Sequence, residues 1–182
     1  VKLELTNHIV DLMYKSYSNQ LKNLALQGDV KFAKALKIWF TENTITDTFT
    51  ETCQNFYDDT IKQFEGNAGA LMMEGSGWEE LIIITSKDLG HSLVKMIETE
   101  REKQKEKLFV FSLETIVDEL EGAITKPIKD LDDNFWDKII ESYKDTVNRE
   151  EDKVKAILND GFKTLDEEYD GFLIKLEDKV YN

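Results

Sequence analysis

Apolar residues recur along this chain in steps of three and four, the spacing that keeps side chains on one face of an α-helix. The clearest run is Ile45, Phe49, Cys53, Phe56, Thr60/Ile61, Phe64, Ala68 and Leu71, which predicts one long amphipathic helix. Glu74-Gly75-Ser76-Gly77-Trp78-Glu79-Glu80 follows it and reads as a stop with an immediate restart. Gly75 suits the left-handed residue beyond a helix end, and Ser76 with Glu79 forms a capping-box pattern. A long helix that reverses at a short glycine turn is an αα-hairpin, so the next helix is expected to lie antiparallel.

The same period extends to both sides. Leu5, Ile9, Leu12/Met13, Ser16/Tyr17 and Leu21/Leu24 trace a first stripe, and Phe32, Leu36, Trp39 and Phe40 carry it past Gly28. One glycine costs a helix only about 1 kcal/mol, so Gly28 can interrupt or merely weaken it. Thr41 to Asn43 reads as a loop, and Thr44 with Asp47 as a cap. Beyond the glycine turn, Trp78, Leu81, Ile82, Leu89, Leu93 and Met96 keep helical steps. Leu81-Ile82-Ile83-Ile84-Thr85 is β-prone by composition, yet its acidic flanks and the lack of a pairing strand favour a helix buried on several sides. Glu98 to Lys107 is almost wholly charged, with acid and base interleaved. Pairs at three- and four-residue spacing are each worth a few tenths of a kcal/mol, enough to keep a thinly packed segment helical.

Leu108, Phe111, Thr115, Leu120 and Ile124 resume the stripe until Lys126-Pro127, where proline should end or kink the helix. Asp132-Asp133-Asn134 offers cap-like residues before a helix carrying Ile139/Ile140, Tyr143, Val147, Val154 and Ile157/Leu158. Asn159-Asp160-Gly161 marks a stop. Thr164 with Glu167 reads as a fresh capping box ahead of Leu165, Tyr169, Phe172/Leu173 and Leu176. The expected fold is all-α, an elongated bundle of long antiparallel helices, about five in number. It is read as one domain over 1–182, or as two stacked bundles with the second from about 128 to 182.

Composition sharpens this picture. One proline and nine glycines in 182 residues favour long helices over a strand-rich fold. A net charge of −14 argues against a nucleic-acid partner, which needs a basic surface, and against docking on anionic lipid. The single cysteine, Cys53, excludes an internal disulfide and sits on an apolar stripe, where an inert buried thiol is expected. No apolar run is long enough to span a bilayer. The chain opens on Val1, which suggests a piece of a longer protein.

Candidate chemistry is sparse. Gly75-Ser76-Gly77 lacks the lysine and the preceding strand of a phosphate-binding loop and is read as a turn. One cysteine and two distant histidines leave no zinc set. A di-iron bundle needs paired Glu-x-x-His motifs; Asp88-Leu89-Gly90-His91 supplies one imperfect copy, and His8 has no acid three residues before it. Trp39, Trp78 and Trp136 are read as core or bundle-edge anchors. The residues themselves point to no catalysis, no cofactor and no metal in this segment.

Three segments together resemble the helical stalk of the Sey1/RHD3 family, counterparts of the atlastins. The first is Phe64-Glu65-Gly66-Asn67-Ala68-Gly69-Ala70-Leu71, continuing to Glu74-Gly75 and Trp78-Glu79-Glu80-Leu81. The second is Pro127 followed by Phe135-Trp136-Asp137-Lys138-Ile139, and the third is Gln20-Leu21-Lys22-Asn23-Leu24. Phe64, Leu71, Trp78 and Trp136 are the anchors the resemblance picks out. It implies a stalk resembling a three-helix bundle, set between a GTPase head and a membrane anchor in a dynamin-like protein that fuses endoplasmic reticulum tubules. GTP and Mg²⁺ would belong to the head of the parent protein, not to this segment. The implied partners are that head and a second copy of the parent, with the membrane reached only through segments not in this chain. The implied place is the cytosolic face of the endoplasmic reticulum. Movement would be taken up at Gly75, Ser76 and Gly77, at Pro127, and at Asn159 and Gly161. The cut segment by itself would be an elongated monomer at modest concentration. A free-standing helical adaptor that binds a partner helix fits the same stripes.

Overall fold

The computed structural model describes residues 2–42, 48–72, 77–130 and 134–158. These form four α-helices and, among the described residues, no strand: α1 (Lys2–Glu42), α2 (Phe49–Leu71), α3 (Glu79–Asp130) and α4 (Phe135–Ala156). A fifth helix expected around Leu165 to Leu176 lies outside the described residues, as do the caps expected at Thr44, Ser76 and Thr164. The chain divides into two compact units, one of residues 1–42 and 52–100 and the other of 43–51 and 101–182, so the division cuts α3 between Glu100 and Arg101 and leaves the first turn of α2 with the second unit.

In the first unit, α1, α2 from Thr52 onward and the leading half of α3 build an up-down-up bundle. Tyr17 meets Ala68 near one end and Trp39 meets Phe56 near the other, so α2 runs antiparallel to α1. Ser86 bonds Glu65 and Tyr57 lies against Gly90, so α3 reverses again. Trp78 stacks on Tyr17 and Leu89 lies against Gly28, at one constant offset, which sets α3 parallel to α1. The core is the predicted stripe of each helix: Tyr17, Leu21, Phe32, Leu36 and Phe40 of α1, Cys53, Phe64 and Ala68 of α2, Leu89 and Leu93 of α3. Burying each large aliphatic or aromatic side chain contributes about 1.5–3 kcal/mol, which outweighs the weak helix propensity of the β-branched and aromatic residues. Gly28 is passed without a break.

Two expectations for this unit need correction. The α1 stripe from Leu5 to Tyr14 is exposed, with Leu5 at 60% and Leu12 at 52%. The cause is level: Tyr17 already faces the last turn of α2 and the first residue before α3. Among the described residues nothing in this unit lies beyond them to cover the first turns. Leu81 to Thr85 is helical as read, but it is not buried on several sides, because Ile83 and Ile84 are about half exposed at 54% and 49%. In an outer helix of a three-helix bundle only one face is covered, whatever the composition.

In the second unit the trailing half of α3 packs against α4. Phe109 and Ile116 form the core with Leu113, Leu120 and Val147 around them. The buried arc of α3 here is Gln104, Leu108, Phe109, Ser112 and Ile116, so Phe111, expected inside, is 61% exposed. The buried residues of α4 include Thr146 and Glu150, and the buried arc of α3 likewise carries the polar Gln104 and Ser112. Counting apolar residues alone cannot find that register. Pro127 does not end α3, which continues to Asp130. Proline removes one backbone bond, to the carbonyl of Ala123, and with only the last turn beyond it the cost falls where helices fray. Asn134 opens α4 through its backbone carbonyl, which accepts from the Lys138 amide at 3.1 Å.

Candidate functional site

Trp78 is where the first unit concentrates specific geometry. Gly77 has φ +71°, a left-handed conformation that costs other residues about 1–2 kcal/mol, and it delivers the chain to Trp78 just before α3 starts. The Trp78 carbonyl accepts the Leu81 amide at 3.0 Å, opening the first turn. Its indole stacks on Tyr17 with ring centroids 5.6 Å apart and meets Tyr14 edge-on at 5.9 Å. Such aromatic pairs add about 0.5–1.5 kcal/mol each beyond the area they bury.

Tyr17 does a second job. Its hydroxyl donates to the Ala68 carbonyl at 3.1 Å. That carbonyl would normally accept from Met72, but the Met72 amide bonds Gly69 instead, at 3.2 Å, as α2 tightens and ends. Tyr17 thus caps one of the orphan carbonyls that every helix C-terminus leaves. Burial, and then the nearby Glu79 charge, push its phenol above the ordinary tyrosine value. One α1 residue therefore ties together the end of α2 and the approach to α3.

Between α1 and α2 runs an open seam of about 230 Å³ that includes Phe32, Phe56 and Phe64, with Lys31 and Asp59 among its polar residues. Its lining mixes these aromatic rings with surface polar side chains, as a seam between two packed helices does. Among the described residues no cluster of His, Cys, Asp and Glu could hold a metal. Asp88 and His91 are both exposed on α3, and Cys53 is buried and in no disulfide. On the far side of the same bundle a β-carbon on Gly90 would lie 2.7 Å from the Tyr57 hydroxyl, so glycine there permits the close approach of α2 and α3.

In the second unit the specific polar contact is Glu119 of α3 with α4. Its Oε2 accepts from Thr146 at 3.1 Å and also pairs with the Arg149 guanidinium. The Arg149 bond, with Thr146 adding to it, holds the Glu119 carboxyl below the ordinary glutamate value. Glu150, almost fully buried, pairs with Lys153 at 2.5 Å and lies 3.9 Å from Arg149. Glu119 thus ties α3 to α4, whereas the Glu150 contacts lie within α4.

The residues singled out in the sequence fare differently. Phe64 is in the core and Trp78 in the aromatic clamp, whereas Leu71 is 48% and Trp136 71% exposed. Trp136 touches Phe135 edge-on at 4.9 Å; it lies in the first turn of α4, in line with Val154 five turns on, at an end of the helix where its side chain is left at the surface. Gly77 carries the left-handed turn; Gly75, Ser76, Asn159 and Gly161 lie outside the described residues, and Pro127 lies within α3. Tyr17, Glu119 and Glu150 were missed. Tyr17 looks like any stripe residue, and two acids among 37 have no local signal that marks them.

No curated protein and no solved structure matches the chain. The Sey1 three-helix bundle domain matches residues 1–181, which agrees with the up-down-up bundle of the first unit. The chain belongs to the Sey1 three-helix bundle domain family.

Proposed function

We propose that this chain is the non-catalytic stalk of a dynamin-like GTPase that fuses endoplasmic reticulum membranes homotypically. It acts as a lever between the GTPase head and the membrane anchor of the parent protein, on the cytosolic face of that membrane. GTP and Mg²⁺ are handled by the head. The observation that carries the reading is the family match over nearly the whole chain. The helices suit the role: α3 has 52 residues and α1 has 41, lengths well above the usual 10–14 or so. Among the described residues no helix is long and apolar enough to cross a membrane, so in this reading the anchor lies elsewhere in the parent.

The exposed stripe of Leu5, Ile9, Leu12 and Met13 on α1 is the surface we assign to the head, since burying it supplies the contact through which a nucleotide-driven movement reaches the bundle. Gly77, Pro127 and the Asn159–Gly161 stretch are where movement would be absorbed. The test uses the full-length parent reconstituted in vesicles. Replacing Ile9 and Leu12 with serine should lower the rate of lipid mixing while head-catalysed GTP hydrolysis persists. Lipid mixing that is unchanged, or that falls only in step with hydrolysis, would overturn the lever. A parent without a GTPase head would leave a helical adaptor in its place.

A further inference from the structure

The acid of this chain is unevenly spread. The 41 residues of α1 carry six lysines against four carboxylates, so the acidic excess behind the net charge of −14 resides outside this helix. Lys22, Leu26, Val30, Lys34 and Ile38 follow one another along α1 in steps of four. They form one ridge on the half of the helix turned away from the buried Leu21, Phe32 and Leu36. Leu26, Val30 and Ile38 are 60%, 69% and 45% exposed, and Ala33 and Lys37 stand exposed in the turns beside them. Lys22, Lys34 and Lys37 make no ion pair among the described residues. From Lys15 to Thr41 the one carboxylate on α1 is Asp29, whose Oδ1 is buried. Lys31 is no part of this face, since it lines the α1–α2 seam together with Asp59.

We propose that this ridge docks on an anionic phospholipid bilayer, with α1 lying along the membrane plane. The face is the convex outside of a single helix. It offers a partner helix no groove to enter, and a bilayer needs none. Its apolar side chains alternate with amines on long aliphatic stems, so Leu26 and Val30 can enter the acyl boundary while the Lys22, Lys34 and Lys37 amines stay level with the phosphates. The net charge of the whole chain argues against anionic lipid only when averaged. Exposed charges more than about 10 Å away are largely screened at 0.1 M salt, and each lysine at the surface adds its own attraction. Three apolar groups and three amines give weak, salt-sensitive binding, which becomes effective where the chain is tethered beside a bilayer. The stalk reading supplies such a tether, and docking would lay the bundle on the membrane in one of its positions. The binding itself stands on α1 alone, so neither idea falls with the other.

Flotation of the 182-residue chain with lipid vesicles tests it, with helicity followed by circular dichroism to confirm that each variant folds. The chain should float with vesicles of phosphatidylcholine and phosphatidylserine in equal parts, stay behind with phosphatidylcholine alone, and be released by added salt. Lys22→Glu, Lys34→Glu and Lys37→Glu together should weaken binding by about tenfold or more, and Leu26→Ser with Val30→Ser should weaken it as well. The same charge change at exposed sites on the other helices, Lys62→Glu, Lys87→Glu and Lys144→Glu together, should leave most of the binding in place. A chain that ignores the anionic vesicles would overturn the proposal, as would binding indifferent to either ridge variant. Equal losses in the two triple variants would also overturn it, reducing the effect to net charge. Capture of polyglutamate in place of vesicles would refute it in favour of an acidic protein segment.

Discussion

The Tyr17 hydroxyl donates to the Ala68 carbonyl across the first unit, at a helix end whose own amide has turned to Gly69. Tyr17→Phe keeps the ring on Trp78 and removes only this bond. We expect a loss of about 1 kcal/mol in urea unfolding, with no change in fold. Trp78→Ala should cost more, about 2–4 kcal/mol, because it removes both aromatic contacts and leaves a gap at the edge of the core. If the two variants lose equal stability, the capping bond and not the stack holds this end.

Glycine at two places on the same bundle should respond in opposite ways to alanine. At Gly28 a β-carbon would meet Leu89 and Thr60 methyls at 3.4–3.5 Å, ordinary contact. Gly28→Ala should therefore stabilise α1 by up to about 1 kcal/mol through helix propensity. At Gly90 the added carbon would collide with the Tyr57 hydroxyl at 2.7 Å, so the propensity gain is offset by displacing that ring. Gly90→Ala should be neutral or destabilising, and Tyr57→Phe in the same chain should relieve it. Thermal melts of the two single variants and the pair decide the matter.

Acid should loosen the second unit through Glu119. Its folded-state carboxyl is held low by Arg149 and Thr146, so its contribution is present above the ordinary glutamate range and is lost as pH falls through the depressed value. Glu119→Gln should accordingly be less stable than the parent chain at neutral pH. The gap should close as pH is lowered from about 4.5, the range where unperturbed glutamate begins to protonate. A gap that persists unchanged into acid would mean that the carboxylate charge is not what Arg149 and Thr146 recognise. The contact is exposed to solvent, so added salt should narrow the neutral-pH gap as well.

Gly77→Ala places a β-carbon at φ +71° and should cost about 1–2 kcal/mol from backbone strain alone, since nothing lies within 4 Å of that position. Gly77→Asn should recover part of this, asparagine being the residue after glycine that best tolerates the left-handed region. Equal losses for both would point to contacts and not to conformation.

Much of this protein follows from periodicity. The stripes of three- and four-residue steps decided the all-α class, the first four helices and most of the first core, because burial of one face dominates helical packing energetics. The end of α2 and the restart at Glu79 were legible as a break between helices, and the flanking motif as a family resemblance, for the same local reason. Periodicity could not say how far each stripe is covered. The Leu5 to Tyr14 stripe is as regular as the rest yet exposed, since coverage depends on where the partner helices begin and end. Phe111 points outward and Ser112 inward because the packing of α4 on α3 set a register that no count of apolar residues contains. The Tyr17 cap on Ala68 and the Glu119 bonds to Thr146 and Arg149 join residues far apart in sequence. Local pattern determined which segments are helices and which face is greasy; only tertiary packing, through the reach of partner helices and the need to pair buried polar atoms, decided which of those faces are used.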